Sequence, residues 1–186
     1  MFTLPVRSDL EIRLVEERHA PAIFQRIQTE RDHLAEWLPW VEATTAVSDV
    51  ESFIVKSRAR FAGNNGFDAG IWLAGEFVGG IGLHYYDWDN RRTEIGYWLS
   101  QSVTGRGLMT DCCRALIRYL FEDLHFHRIE IRCATGNVRS RRIPERLGFT
   151  HEGTLRRAQF LNGRYTDLAV YGLLRTDQIP SSSNAA

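Results

Sequence analysis

The sequence predicts a mixed α/β domain built on a largely antiparallel sheet, on three observations. The hydrophobic period changes from helical to alternating at Asp68. Three alternating runs follow, separated by the turn pairs Ala74-Gly75 and Asp89-Asn90, as in an antiparallel meander. A strand-like run then enters a helix-like run through Gly105-Arg106-Gly107.

Taken in order, Leu10–Val15 alternates enough to be a first strand. His19–Thr29 reads as a helix, with Pro21 in its first turn and Ile23, Phe24 and Ile27 on one face. His33–Val41 is rich in large apolar residues and is interrupted by Pro39. Its Trp37 and Trp40 suit either the core or the wall of a cleft. Ser48-Asp49-Val50-Glu51 has a capping-box pattern, and Val50, Phe53, Ile54, Ser57 and Phe61 follow at helical spacing up to Asn64-Asn65-Gly66. Asp68–Leu73, Glu76–Tyr86 and Thr93–Leu99 are the meander. The helix after Gly107 carries Leu108, Cys112, Ala115, Leu116, Tyr119 and Leu120 on one face. Arg128–Cys133 is a strand, Asn137 caps a short helix reaching Leu147, and Gly148 stops it. Thr150–Arg157 and Tyr165–Leu174 flank the turn at Asn162-Gly163. One domain over 1–180 is expected, with a small polar tail at 181–186 expected to be disordered.

Composition narrows the functional classes. With 186 residues, 44% hydrophobic and 25% charged, the chain can bury a substantial core. Its 23 basic and 23 acidic residues cancel, so charge argues for neither nucleic acid nor an anionic membrane as partner. Lys56 is the only lysine, and the arginines are scattered, as codon bias would leave them. Cys112, Cys113 and Cys133 are odd in number, which argues against a disulfide framework and for a reducing cytoplasm. No Cys/His spacing suits zinc, and no apolar run suggests a leader or a membrane span, so a soluble, unexported protein without metal is expected.

The stretch that bears most on function is Ile95–Thr110 (IGYWLSQSVTGRGLMT). A strand feeding a helix through Gly-x-Gly leaves backbone N–H groups at the helix start, and these together with the helix dipole attract phosphate. The same pattern also serves plain tight turns, so on its own it leaves both readings open.

Three segments together carry more: EIGYWLSQSVTGRGLMT (Glu94–Thr110), NVRSRRIPERLGF (Asn137–Phe149) and EGTLRRAQFLNGRYTDLAVYGLL (Glu152–Leu174). In this order and at these separations they resemble the GNAT superfamily of acetyl-CoA-dependent N-acetyltransferases, and within it the RimJ/RimL-type branch acting on ribosomal proteins. The resemblance implies a mixed, mostly antiparallel sheet splayed between its fourth and fifth strands and flanked by helices. It implies acetyl-CoA as cosubstrate. The family's Q/R-x-x-G-x-G/A loop matches at Gly105 and Gly107, with Ser102 in the first position. The implied diphosphate ligands are the backbone N–H groups of Gly105, Arg106, Gly107, Leu108, Met109 and Thr110, with the Thr110 hydroxyl as a further donor. Arg106 either adds charge there or faces solvent. By resemblance, backbone groups of Tyr97, Trp98 and Leu99 pair with the pantetheine arm, and Asn137 and Ser140 lie beside the pantetheine and thioester. As bare residues, Asn137 reads equally as a helix cap and Ser140 as an exposed helical side chain.

The resemblance also raises the question of catalytic groups. Where many members have a tyrosine that protonates the leaving thiolate, this chain has Pro144, which has no proton to give. Ser140 is the nearest substitute and Tyr171 a distant second. Glu94, on the central strand, is a candidate base acting through water, or else a structural carboxylate. Gln159 stands where the ribosomal-protein serine branch can carry a carboxylate, and an amide cannot act as a base. Glu152 and Asp167 read as structural. At pH 7 an α-amine of pKa about 7.8 is neutral in roughly one molecule in seven, and a lysine amine of pKa about 10.4 in under about one in a thousand. A site without an evident strong base therefore favours the N-terminal α-amine of a protein or peptide. A small amine such as an antibiotic or polyamine is the alternative acceptor, and a non-catalytic acetyl-CoA-binding module is a third reading. A homodimer is compatible with the resemblance.

Overall fold

The computed structural model describes residues 2–177, so the expected tail at 181–186 and the domain limit at 180 lie outside the described residues. Eight strands form one sheet: β1 (Thr3–Arg7), β2 (Leu10–Leu14), β3 (Phe67–Leu73), β4 (Glu76–Asp87), β5 (Arg92–Leu99), β6 (Arg128–Ala134), β7 (Thr150–Leu161) and β8 (Arg164–Leu174), in the order β1-β2-β3-β4-β5-β6-β8-β7. Every neighbouring pair is antiparallel except β5–β6. A parallel pair needs a crossover, and the helix between these two strands supplies it. The helices are α1 (Ala20–Thr29), α2 (Arg31–Ala35), α3 (Val47–Ala62), α4 (Leu108–Arg118) and α5 (Val138–Arg146).

Strand β1 is absent from the sequence-based order. Thr3–Arg7 contains Pro5, which has no ladder donor, and such a strand is tolerated at a sheet edge, where β1 lies. The two strands counted fourth and fifth from the sequence are therefore β5 and β6. The start of α3 also differs. Its N-cap is Ala46, and Asp49 closes the turn by accepting from the N–H groups of Thr45 and Ala46 at 2.8 and 2.9 Å. Those bonds hold the Asp49 carboxyl below its ordinary pKa. Asp49 thus does the work expected of a cap at Ser48, three residues inside the helix.

Two apolar layers sandwich the sheet. On one face, Leu108, Cys112, Leu116 and Leu120 pack on Ile81, Leu83, Ile95 and Ile131. The three cysteines are free and buried, and they serve as small packing groups. On the other, Ile23, Ile27, Val50 and Ile54 of α1 and α3 pack around Trp72 and Phe77. Beyond Arg118 the helix widens into a π turn at Tyr119–Asp123, with Leu124 N–H donating to Tyr119 O. Among the described residues no helix is long and apolar enough to cross a membrane.

Leu116 is fully buried where α4 meets the sheet. Leu116→Ala should therefore lower the free energy of unfolding by about 2–5 kcal/mol, read from the urea midpoint at unchanged slope.

Candidate active site

The site begins where two strands part. β5 and β6 pair only over Arg92↔Arg128, Thr93↔Ile129 and Glu94↔Glu130. β5 then continues against β4 as far as Leu99, while β6 continues against β8 as far as Ala134. From Ile95 to Leu99 the β5 edge facing β6 has no strand partner. Backbone groups in that position need a partner from elsewhere.

The open end of the wedge leads into the glycine turn. Gly105 and Gly107 both have positive φ, +79° and +74°, and a Cβ on Gly105 would meet nothing within 4 Å. Gly107 is the N-cap of α4 and offers no side chain to the first turn. The first helical bond runs from Asp111 N–H to Gly107 O at 3.1 Å. The N–H groups of Leu108, Met109 and Thr110 therefore have no acceptor among the described residues, and all three residues line the cleft. Three free donors at a helix start fit a diphosphate. A half-buried carboxylate secures the turn from behind: Glu30, at the α1–α2 junction, accepts from Ser100 Oγ and from Gln101 N–H, the latter at 2.6 Å. Ser102 Oγ lies 2.9 Å from Ser100 Oγ, facing this clamp. The Arg106 guanidinium folds back onto Ser102 O at 3.3 Å and does not line the cleft.

The far wall of the wedge is α5. Asn137 Oδ1 accepts from Ser140 N–H at 3.1 Å, so Asn137 does cap the helix, and it also lines the cleft. Pro144 sits inside α5 and is buried. Without an N–H at 144, the carbonyl of Ser140 has no i+4 donor. The Tyr97 hydroxyl takes that place, donating to Ser140 O at 3.0 Å across the gap from β5. Ser140 Oγ in turn donates to the Tyr97 oxygen at 3.3 Å. Burial pushes the Tyr97 phenol well above its ordinary pKa, with the Cys133 and Cys113 thiols beside it acting in the same direction. It stays protonated and serves as a hydrogen-bonding strut. Tyr171, the second candidate for the proton, accepts from Arg141 Nε at 2.9 Å and donates to Glu145 at 2.8 Å, away from the cleft lining.

Glu94 marks the closed end of the wedge. Its Oε2 is 3.4 Å from Arg132 Nε, and Arg132 also binds Glu130 at 2.9 Å. Burial raises the Glu94 pKa more than the Arg132 charge lowers it. Glu94 does not line the cleft, nor does Gln159. Glu152 pairs with Arg128, and Asp167 accepts from Arg157 N–H at 2.8 Å, both structural arrangements.

At its other end the cleft, about 810 Å³ in all, is walled by His33, Glu36, Trp37, Leu38 and Trp98. Trp98 lies over Gly80, where a Cβ would come within 2.5 Å of its indole nitrogen, and it meets Trp40 at 5.9 Å. Trp37 covers Gly136 in the same way. Of the two readings open for Trp37 and Trp40, the cleft wall holds for Trp37, while Trp40 is 38% exposed against Trp98. The turn at Asn162-Gly163 pins this end, with Asn162 Nδ2 donating to the carbonyls of Ala35 and Glu36. Sequence reasoning missed His33, Glu36, Arg139, Arg142 and Arg146 as lining residues. The 3–4 spacing of the three arginines on a capped helix was the available signal. Among the described residues no cluster of three His, Cys, Asp or Glu could hold a metal.

Residues 9–150 match the acetyltransferase (GNAT) domain family. The chain belongs to the GNAT acetyltransferase family. It is 38% identical, over 95% of its length and 97% of the other's, to YdaF of Bacillus subtilis (strain 168), provisionally named a ribosomal N-acetyltransferase. It is 28% identical to the ribosomal-protein-serine acetyltransferase of Escherichia coli (strain K12), over 95% and 98% of the two chains. Its fold superposes with a TM-score of 0.90 on RimL, a ribosomal L7/L12 α-N-protein acetyltransferase solved with coenzyme A, at 26% identity over 93% and 98% of the chains. The RimJ/RimL-type resemblance and the splayed GNAT sheet are thus both borne out, and the protein is a GNAT acetyltransferase.

The strut across the GNAT wedge can be removed with one atom. Tyr97→Phe leaves the Ser140 carbonyl without its donor and should lower unfolding free energy by about 1–3 kcal/mol in urea titrations. An unchanged midpoint would show that the bond contributes nothing net.

Proposed function

We propose that this enzyme transfers the acetyl group of acetyl-CoA to an N-terminal α-amine, that of a ribosomal protein or a protein of similar N-terminus. The observation carrying this reading is the continuity of the cleft. It runs from the free donors of α4, past the unpaired edge of β5, to the aromatic end at Trp37 and Trp98. The names of the E. coli relative and of RimL, both ribosomal-protein acetyltransferases, support the acceptor class.

Acetyl-CoA supplies the activated acyl group. The N–H groups of Gly105 to Thr110, those of Leu108, Met109 and Thr110 lacking a protein acceptor, hold its diphosphate. The open backbone of Tyr97, Trp98 and Leu99 continues the ladder with its amides, and Asn137 borders that arm. A backbone N–H near Leu99, on the edge without a strand partner, would stabilise the charge that develops on an acyl oxygen there. Ser140, whose hydroxyl proton rests on the Tyr97 oxygen, would swing that proton from Tyr97 to the leaving sulfur. Glu94, kept basic for a carboxylate by burial but set back from the cleft lining, would take the amine's proton only through intervening water.

Titratable side chains lining the acceptor end are His33 and Glu36, and neither lies at the wedge. An amine that is already partly neutral at pH 7 suits such a site. Free-thiol release from acetyl-CoA should therefore be rapid with peptides bearing a free N-terminus, and slow with N-blocked lysine peptides and polyamines. Fast turnover of lysine side chains with none on N-termini would overturn the reading. Tight acetyl-CoA binding without thiol release, even with ribosomal proteins, would favour a binding module instead.

Two substitutions divide the chemistry. Ser140→Ala should lower kcat by about 10²-fold with acetyl-CoA affinity little changed. Glu94→Gln should lower kcat by about tenfold and flatten the acidic limb of the pH–rate profile. An unaltered profile would assign Glu94 to the Arg132 ion pair alone.

A further inference from the structure

The diphosphate cradle is built from neutral backbone, yet coenzyme A brings a diphosphate and a separate phosphate monoester, together about four negative charges. The turn supplies little formal charge against them. Arg106 is turned onto Ser102 O, and Arg7 and Arg114 are both committed to Asp111 in the first turn of α4. The cations that line the cleft lie instead on α5: Arg139, Arg142 and Arg146.

These three fall at i, i+3 and i+7, one stripe of the helix, flanked by the cleft-lining Ile143 and Ser140. All three are exposed, and none makes an ion pair or side-chain hydrogen bond among the described residues. The acid of the same helix, Glu145, is turned to the far side, where Tyr171 and Arg141 occupy it. Hence the stripe meets no carboxylate from its own helix, and its guanidinium groups are free to fork onto phosphate oxygens.

We infer that Arg139, Arg142 and Arg146 form a cationic subsite for the 3′-phosphate of the cofactor's nucleotide, and that this stripe makes the enzyme prefer acetyl-CoA to its 3′-dephospho form. The inference rests on the proposed acetyl-CoA site and adds to it a phosphate monoester contact made by side chains. It divides labour in the cleft: the α4 backbone holds the diphosphate common to both forms, and the α5 stripe reads the group that distinguishes them.

The test is calorimetric titration of the full chain with acetyl-CoA and with 3′-dephospho-acetyl-CoA. The proteins are wild type, Arg139→Gln, Arg142→Gln, Arg146→Gln, the triple variant, and Arg118→Gln, an exposed charge on α4, as control. Wild type should bind acetyl-CoA roughly 10–100-fold more tightly than the dephospho form, as expected for charge-assisted hydrogen bonds to one phosphate. The triple variant should lose that preference while holding the dephospho form as wild type does, and Arg118→Gln should keep it. Equal binding of both forms by wild type would overturn the inference while leaving the acetyl-CoA site standing. Equal weakening of both ligands in the triple variant would also overturn it, showing diffuse attraction rather than a phosphate subsite. Should the preference persist in the triple variant while KM for an acidic peptide acceptor rises, the stripe would belong to the acceptor and the inference would fail. Wild type that binds neither ligand would sink the acetyl-CoA reading itself.

Discussion

The structure depends on a ladder of hydrogen bonds that stops early. β5 and β6 are joined at Glu94↔Glu130 and no further, though each strand goes on against its other neighbour. An unpaired strand edge inside a sheet is unfavourable unless something else supplies donors and acceptors. In the proposed reading the vacancy is the binding feature, because an extended chain of amides can complete the ladder without displacing any protein group. The free donors of α4 stand at the open mouth of the same gap. One topological event, a single parallel pair within an antiparallel sheet, thus creates both the slot and the helix start that faces it.

A gap in a sheet has to be held open, and the contacts that do so come from both walls. Pro144 removes one helical bond from α5, and Tyr97 makes the replacement from β5. The strut and the break are therefore a matched pair. The residue that looks like a lost catalytic group in the linear sequence also sets where the Ser140 backbone and hydroxyl sit. On the opposite side, Glu30 ties the α1–α2 junction to the start of the glycine turn. The aromatic end of the cleft and the glycine-turn end consequently share one anchor, and the tip of the β7–β8 hairpin fastens the end of α2 through Asn162.

Electrostatics follow the same division. The chain is neutral overall, so no long-range field draws an anionic ligand toward it. The positive potential at the cleft is local, from the dipole at the start of α4 and the guanidinium groups on α5. The carboxylates of the sheet are neutralised by arginine neighbours. Glu130 sits between Arg128 and Arg132, whose bonds hold its pKa below the ordinary value against the opposing effect of burial. Glu94 has the weaker Arg132 contact, and there burial prevails.

By itself the sequence determined the α/β class, the meander, the glycine turn before α4 and the cap at Asn137, because each is written in neighbouring residues. Periodicity, turn pairs and the missing Cβ of Gly105 and Gly107 act over a few positions, and the three segments in order identified the family. It did not reveal β1, whose Pro5 erases the strand signal, or the capping role of Asp49, because the helix starts two residues before the expected pattern. Tertiary structure alone decided that Tyr97 reaches Ser140, that Glu30 holds Ser100, and that Arg139, Arg142 and Arg146 share a cleft with α2. Those contacts join residues tens of positions apart, and their energy depends on distance and direction in space, which no local pattern of side chains records.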